Sequence, residues 1–298
     1  MVSYKALYPF HSQFLNVGGH RLHYLDEGKG DPILFVHGNP TWSFYYRHLI
    51  QAFQGRYRTI APDHMGCGLS DKPEQYHYHL EQHIQNLERL VLKLDLRNIT
   101  LVVHDWGGPI GIGTALRHPE RFKQFVVFNT AAFLSQEMPW SLSLCRIPVF
   151  GNLMIRGLNC FSLATLRFGL HKQDRLTPEV RSGYLDPYSG YGNRVAQMRF
   201  VDDIPLNRSH PSYKVLEGID RGLSRFRDRP ALIIWGKHDF VFTTHFLNRW
   251  KKFWPQADVW LLHEAGHLVV EDCHEDIIPW MDTFLAANSS HSASRMSH

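Results

Sequence analysis

Long apolar runs are missing from this sequence: none approaches the ~18 residues that a membrane-spanning helix requires. The first residues also lack the apolar core of a secretory signal peptide. Cysteine is scarce, and the four cysteines (Cys67, Cys145, Cys160 and Cys273) have neither disulfide nor metal-ligand spacing. Basic blocks are absent and the formal charge is only +4, so nucleic acid is not an expected partner. These absences predict a cytoplasmic protein without a membrane span.

What the sequence does contain is the alternation of strands and helices that is typical of a parallel sheet. Short apolar runs recur and are separated by segments of helical periodicity. The strand-like runs lie at residues 33–36, 58–61, 99–103, 125–128, 231–235 and 259–262. A hairpin around Gly18 and Gly19 precedes them. With 298 residues and 44% apolar content, the chain is predicted to form an α/β protein with helices on both faces of its sheet.

The alternation is interrupted between residues 135 and 213, where no strand-like run occurs. Short helical patterns broken by prolines and glycines fill this segment. A helical insertion between two strands of an open sheet is expected to lie over the carboxyl ends of the strands, where such sheets bind ligands. We therefore predict a core domain of residues 1–134 and 214–298 and a helical cap domain of residues 135–213.

The candidate nucleophile lies where the strand at residues 99–103 meets the next helix. The apolar run stops at His104 and Asp105, and Gly107 and Gly108 then open an amphipathic segment. A strand that turns sharply into a helix can lift one side chain clear of the edge of the sheet. A serine hydrolase would have G-x-S-x-G at this turn, and the sequence does not contain that pentapeptide. The turn is predicted to present the carboxylate of Asp105.

Two more polar residues follow strands that come after the cap. Asp239 lies just beyond the strand at residues 231–235, and His267 follows the last strand. The chain order of nucleophile, acid and histidine is the order found in α/β-hydrolase triads. Because all three residues stand at the expected strand ends, we predict that Asp105, Asp239 and His267 form a catalytic triad.

Residues 263–267 (HEAGH) match the H-E-x-x-H signature of zinc proteases. That chemistry requires both histidines on one face of a helix, whereas this segment directly follows a strand and includes Gly266. We therefore expect no metal site here, and no cofactor motif is found elsewhere. Ser70 lacks the preceding strand of a nucleophile turn and is interpreted as a structural loop residue.

Three segments of the chain together resemble haloalkane dehalogenases of the α/β-hydrolase superfamily: residues 37–41 (HGNPT), 63–71 (DHMGCGLSD) and 104–108 (HDWGG). The resemblance extends over nearly the whole chain. It implies the α/β-hydrolase fold, with a mostly parallel eight-stranded sheet flanked by helices and an inserted helical cap. It also implies that the side chains of Asn39 and Trp106 bind halide and that their backbone N–H groups form the oxyanion hole.

The resemblance also indicates a subfamily. One large group of dehalogenases carries its acid as Glu after the strand that precedes the cap, where this chain has Asn129. The combination of Asn39 with the later acid Asp239 resembles the third subfamily, whose members tend to form large oligomers, so a homo-oligomer is expected. Bacterial β-lactone decarboxylases of olefin synthesis resemble the same subfamily and share these residues.

The chemistry expected first is hydrolytic dehalogenation of an alkyl halide, without a cofactor. An aspartate of ordinary pKa, about 3.9, is ionised at neutral pH, so Asp105 can displace halide and form an alkyl ester. His267, oriented by Asp239, then deprotonates the water that hydrolyses the ester. The alternative is a β-lactone decarboxylase that uses the same site. A binding protein without catalysis is disfavoured because it has no need of a complete triad.

Overall fold

The computed structural model of the protein describes residues 2–135, 137 and 140–289. This part of the chain contains one eight-stranded sheet with the strand order β1-β2-β4-β3-β5-β6-β7-β8. The strands are β1 (Ser12–Val17), β2 (His20–Glu27), β3 (Pro32–Val36), β4 (Arg58–Pro62), β5 (Ile99–Asp105), β6 (Phe122–Thr130), β7 (Ala231–Gly236) and β8 (Asp258–Leu262). Strand β2 is antiparallel to β1 and β4, and the neighbouring pairs from β4 to β8 are parallel. The predicted mostly parallel sheet is confirmed.

The α-helices cover both faces of this sheet. They are α1 (Arg47–Phe53), α2 (Leu80–Lys93), α3 (Gly107–Arg117), α4 (Trp140–Cys145), α5 (Pro148–Gly151), α6 (Cys160–Phe168), α7 (Pro178–Leu185), α8 (Val195–Asp202), α9 (Tyr213–Gly222), α10 (Thr244–Phe253) and α11 (Val269–Ser289). The side chains of β3 alternate between the faces, as the period of a strand requires. Leu34 and Val36 pack in one core with α2, α3, α9 and α10, whereas Ile33 and Phe35 pack in another with α1 and α11.

The hairpin and the buried strands follow from local sequence. Gly18 and Gly19 have positive φ values of 60° and 88°. Two successive residues with positive φ form the turn whose twist matches that of the flanking strands in a two-residue hairpin. Every residue of β3 and β5 is buried, as expected for parallel strands with helices on both sides. The aromatic residues Trp42, Tyr45 and Tyr46 are fully buried in the core.

Helices α4 to α8 lie between β6 and β7, in the segment predicted as the cap. Helix α9 instead contributes Ile219 to the sheet core beside α2 and α3, which is consistent with a return to the core near residue 213. The domain boundaries at residues 134 and 213 stay predictions, and residues 136, 138 and 139 lie outside the described part of the chain. The cap is joined to the core through Trp42, whose Nε1 donates to the backbone oxygen of Gly183 at 2.8 Å.

A second link between cap and core is the hydrogen bond of Tyr184, in the cap, to a buried ion pair of the core. Arg47 on α1 donates two hydrogen bonds, of 2.7 and 2.6 Å, to the carboxylate of Glu271 on α11. The hydroxyl of Tyr184, on α7, donates to the same carboxylate at 2.7 Å. The Arg47 and Glu271 side chains are each only 2% exposed, so neither can exchange its partner for water.

We expect Glu271→Ala to lower the free energy of unfolding by about 3–5 kcal/mol, because it leaves the guanidinium of Arg47 buried without its counter-ion. Glu275→Ala on the same helix is the matched control, because that side chain is 54% exposed in its pair with Arg175. Its removal is expected to lower the free energy of unfolding by about 0–1 kcal/mol. Urea unfolding followed by circular dichroism measures both. Equal effects of the two substitutions would contradict this role of the buried pair.

Candidate active site

The turn between β5 and α3 has the strained geometry that the sequence predicts. Asp105 is the last residue of β5 and has a φ of 50°, a left-handed conformation that is uncommon for residues other than glycine. Helix α3 starts two residues later at Gly107, where a Cβ would lie only 2.0 Å from the backbone oxygen of Val36. The backbone strain is held by the buried strand on one side and the helix on the other, and it aims the Asp105 side chain at the cap.

The carboxylate of Asp105 lies against two backbone donors. The N–H of Asn39 donates to Oδ1 at 2.6 Å, and the N–H of Trp106 is also hydrogen-bonded to the carboxylate. A Cβ on Gly38 would lie 2.1 Å from Oδ1, so only glycine allows this close approach. The two residues predicted as the oxyanion hole therefore face the predicted nucleophile.

The sequence predicts an ordinary aspartate pKa for Asp105, and the structure differs from that expectation. Burial raises the pKa of this carboxyl above its usual value of 3.8, although the positive charge of His267 and the backbone N–H groups of Asn39 and Trp106 oppose the shift. The sequence identifies the residue but not the loss of water around it. A desolvated carboxylate is a stronger nucleophile than a hydrated one, so the raised pKa is compatible with the assigned role.

The predicted base and acid are in contact. Nδ1 of His267 and Oδ2 of Asp239 lie 2.8 Å apart, and both side chains are buried. The other oxygen of Asp239 accepts hydrogen bonds from the backbone N–H groups of Val241 and Phe242, at 2.7 and 3.0 Å. Burial disfavours the imidazolium, but the carboxylates of Asp239 and Asp105 outweigh it, so the pKa of His267 is raised above 6.5.

Asn129 lies at the end of β6, the alternative position for the acid. Its side-chain Nδ2 donates to the backbone oxygen of Gly236 at 3.0 Å, and its Oδ1 accepts from the N–H of the same residue at 2.8 Å. A carboxylate could make only the second of these bonds. Asn129 therefore ties β6 to β7, and the carboxylate in contact with His267 is that of Asp239.

The two side chains predicted to bind halide both line the pocket above Asp105. Nδ2 of Asn39 donates to the backbone oxygen of Gln197, on the cap helix α8, at 3.1 Å. An amide carries two N–H bonds, so the second stays available to a ligand. The indole of Trp106 packs against Phe200, also on α8, with 5.3 Å between ring centroids. The cap therefore helps to orient both predicted donors.

The pocket above Asp105 has mostly apolar walls. Apolar residues that line it include Leu80, Phe133, Phe161, Val201, Leu216 and Phe242. Sequence reasoning missed these residues. Phe133 and Phe242 shortly follow β6 and β7, so their place after strand ends could have indicated them, whereas no sequence signal marks Phe161 and Val201 in the cap.

His104, which precedes the predicted nucleophile, is another residue whose role was missed. Its Nε2 donates to the backbone oxygen of His267 at 2.8 Å, and the two rings lie 4.6 Å apart. His104 thus fixes the backbone that carries the predicted base. Its only sequence signal is its place beside Asp105.

The H-E-x-x-H segment does not meet the condition for a zinc site. A turn at residues 263–264 follows β8 and no helix begins before residue 269, so the two histidines do not share the face of a helix. In the described part of the chain, no group of three or more His, Cys, Asp or Glu side chains is arranged to hold a metal ion. Ser70 has a structural role: its Oγ donates to the backbone oxygen of Asp63 and accepts from the N–H of His23.

Comparison with known proteins gives the class first. The α/β-hydrolase fold family matches residues 31–272, and the chain belongs to that family. The chain is 42% identical to a cis-3-alkyl-4-alkyloxetan-2-one decarboxylase of Shewanella oneidensis, over 94% of this chain and 90% of that protein. It is 40% identical to a protein of the same name from Xanthomonas campestris pv. campestris, over 91% of this chain and 94% of that protein.

Haloalkane dehalogenases are also similar to the chain, as the sequence motifs predict. Haloalkane dehalogenase 2 of Mycobacterium tuberculosis is 30% identical over 91% of this chain and 93% of that protein. The crystal structure of haloalkane dehalogenase DatA from Agrobacterium tumefaciens superposes with a TM-score of 0.82 at 26% identity, covering 95% of this chain and 99% of that chain. A loop variant of DbeA from Bradyrhizobium elkanii has a TM-score of 0.86 at 22% identity, over 96% and 99% of the two chains, which shows the fold alone. The protein is a haloalkane dehalogenase-like α/β hydrolase.

Proposed function

We propose that the protein is a β-lactone decarboxylase that converts a cis-3,4-dialkyl oxetan-2-one into an alkene and carbon dioxide. The observation that carries this proposal is the identity of 42% and 40% to two proteins named for that activity, against 30% to a dehalogenase, each over at least nine-tenths of this chain. The sequence motifs put dehalogenation first and decarboxylation second. The comparisons favour the reverse order.

The pocket supports an apolar substrate. Its lining is mostly apolar, from Leu80 and Phe133 on the core side to Phe161 and Val201 in the cap, which suits the alkyl chains of a dialkyl lactone. Apolar walls also keep water away from Asp105, which favours decarboxylation over hydrolysis of the lactone. Asn39, Asp105 and His267 are among the polar residues that line the pocket.

In the first step, the carboxylate of Asp105 attacks ring carbon C4 of the lactone. The C4–O bond breaks, and its electron pair stays on the ring oxygen, which becomes part of a free carboxylate. The N–H groups of the Asn39 amide and the Trp106 indole can donate to that carboxylate, as they could to a halide. The product is an alkyl ester on Asp105, formed with inversion at C4.

In the second step, the bond between C3 and the carboxylate breaks and carbon dioxide leaves. The electron pair of that bond forms the C3=C4 double bond, and the C4–O bond to Asp105 breaks, which restores the free carboxylate. The imidazolium of His267, held by Asp239, stabilises the carboxylate as it leaves. The step consumes no water and no redox partner. Inversion followed by anti elimination yields the cis alkene.

Dehalogenation is the second candidate, and the specific observation in its favour is the pair Asn39 and Trp106 above an aspartate nucleophile. The first step would be the same attack on an sp3 carbon, with halide as the leaving group. The second step would differ, because His267 would have to be neutral in order to deprotonate water. The two functions therefore place opposite demands on the protonation of His267.

Incubation of the purified protein with a synthetic cis-3,4-dialkyl β-lactone tests the proposal. We expect one alkene and one carbon dioxide for each lactone consumed, measured by gas chromatography. Formation of the β-hydroxy acid instead would identify a lactone hydrolase. If the lactone stays unchanged, it is not a substrate and the proposal is wrong.

The pH dependence of alkene formation is expected to be bell-shaped. Asp105 must be ionised, so kcat/KM falls as pH decreases through its pKa, which lies above 3.8. His267 must be charged, so the rate also falls as pH rises through its pKa, which lies above 6.5. Initial rates across this range, with circular dichroism at each pH as the control for folding, measure both limbs. A rate that only rises with pH through neutrality would indicate a neutral His267 and a hydrolytic second step.

Asp239→Asn is the matched variant for the basic limb. Without the carboxylate of Asp239, the pKa of His267 decreases and the basic limb moves to lower pH, by about 1–3 units. The acid limb is expected to change little because Asp105 keeps its backbone donors. An unchanged basic limb would show that another group titrates there.

A further inference from the structure

The outside of the cap carries a group of exposed apolar side chains. We call it the outer cap surface; its six residues are Ile147, Val149, Phe150, Leu153, Leu158 and Phe168, with exposed fractions between 41% and 84%. They lie on or beside α5, the π-helical turn at Asn152–Gly157 and α6. Scattered apolar residues are normal on a protein surface, but such a concentration in one short segment is typical of an interaction site.

The helices present these side chains outward because their other face is already packed. Val149 and Leu153 are four residues apart and share one helical face. Ile155, on the other face, is fully buried against Met198 and Val201 of α8. The surface is therefore the free side of an amphipathic pair of helices rather than part of a loosened core.

The same segment has a distinctive charge. Residues 138–173 contain no aspartate or glutamate. They contain four basic residues: Arg146, Arg156, Arg167 and Lys172. Arg156 is paired with Glu74, whereas Arg167 is exposed next to Phe168. Lys172 lies 4.0 Å from Glu264, so Arg167 is the main charge that this segment presents to a ligand. An apolar surface with an exposed arginine at its edge complements an anionic lipid surface.

The geometry of the segment fits a position along a membrane surface. No single helix in the described residues is long and apolar enough to span a bilayer. The pair Val149–Gly157 and Cys160–Phe168 reaches that length and apolar composition only when its two members, bent by 70°, are taken together. A bent apolar pair with one face buried against α8 can lie in the interfacial region without crossing it.

The outer cap surface also lies next to the substrate pocket. Phe161 and Thr165 of α6 line the pocket, while Arg167 and Phe168 at the end of the same helix face outward. We propose that the outer cap surface docks the protein on anionic phospholipid bilayers. Only the purpose of this docking rests on the proposed function: it brings the pocket beside the membrane in which a dialkyl lactone dissolves.

Flotation of the full-length protein with vesicles tests the docking without any substrate. We expect binding to vesicles of phosphatidylcholine with 30% phosphatidylglycerol, and weaker binding to pure phosphatidylcholine or at high salt. The double variant Val149→Asp, Leu153→Asp should reduce the bound fraction by about tenfold or more. Arg167→Glu should reduce binding to the anionic vesicles by about fivefold. Leu92→Asp, at an exposed apolar residue of α2 outside the cap, is the control and should bind like the unmodified chain.

Three outcomes would overturn docking. The first is that the unmodified protein does not bind vesicles. The second is that the Leu92 control and the double variant lose vesicle binding equally. The third is that the double variant changes oligomeric state without any vesicle binding, which would assign the surface to contacts between copies of this chain. Circular dichroism shows whether each variant is folded. Alkene formation from a short-chain, water-soluble lactone should be unchanged in the double variant, since neither substituted residue lines the pocket. Vesicle binding without alkene formation would contradict the proposed function while leaving the docking supported.

Discussion

Replacing Asp105 with Asn is expected to lower kcat for alkene formation by about 10⁶-fold, the loss seen when the nucleophile of a catalytic triad is removed. The amide is neutral and a poor nucleophile, so the ester between enzyme and substrate cannot form. The substitution is nearly isosteric. Folding should be preserved, because Asn also accepts the hydrogen bond that the N–H of Asn39 donates to Oδ1.

Two controls make the Asp105 result specific. Asp105→Ala removes the side-chain oxygen altogether and should be equally inactive, which guards against slow conversion of the Asn back to Asp. Asp95→Asn, at an aspartate whose side chain is 65% exposed, should retain full activity. Alkene measured by gas chromatography gives the rates, and circular dichroism confirms the fold. Activity of Asp105→Asn within tenfold of the unmodified chain would remove this residue from the role of nucleophile.

The second large effect is expected for His267→Phe, and it should depend on the substrate. With a bromoalkane, the variant should release one equivalent of bromide and then stop, because no base remains to activate water for hydrolysis of the ester. With a β-lactone, the variant should become slower by about 10²–10³-fold but continue to turn over. The difference arises because decarboxylation expels Asp105 from the ester without water.

Intact-protein mass spectrometry reads out this difference directly. The bromoalkane should leave the mass of one alkyl group on His267→Phe, and Asp105→Asn should show no such addition. The lactone should leave none at the end of the reaction. A stable adduct from the lactone would mean that its second step needs water, and repeated turnover of the bromoalkane would mean that His267 is not the base.

The parts of the fold and site that sequence predicts are those with strong local physics. A buried parallel strand must be a continuous apolar run, and β3 and β5 are such runs. Glycine is required where backbone or a carboxylate approaches closely, as at Gly38 and Gly107. Since strand ends meet at one edge of a parallel sheet, the order of polar residues after the strands was enough to predict that Asp239 and His267 lie together.

Other features depend on contacts between distant segments, and the sequence gives no sign of them. The raised pKa of Asp105 results from burial under the cap rather than from its neighbours in the chain. The bond from the Asn39 amide to Gln197 joins residues 158 positions apart. The motifs around Asp105 also could not rank lactone against halide, because both reactions begin with the same attack on carbon and use the same donors.

Competition between the two substrates tests the proposed function most directly. The purified protein is given a cis-3,4-dialkyl β-lactone and a bromoalkane of matched chain length in the same vessel, with Asp105→Asn as the blank. Alkene and bromide are measured together, and their initial rates give the ratio of the two kcat/KM values. We expect the ratio to favour the lactone by about a hundredfold or more. A ratio that favours the bromoalkane, with alcohol and bromide as products, would contradict the proposed decarboxylase.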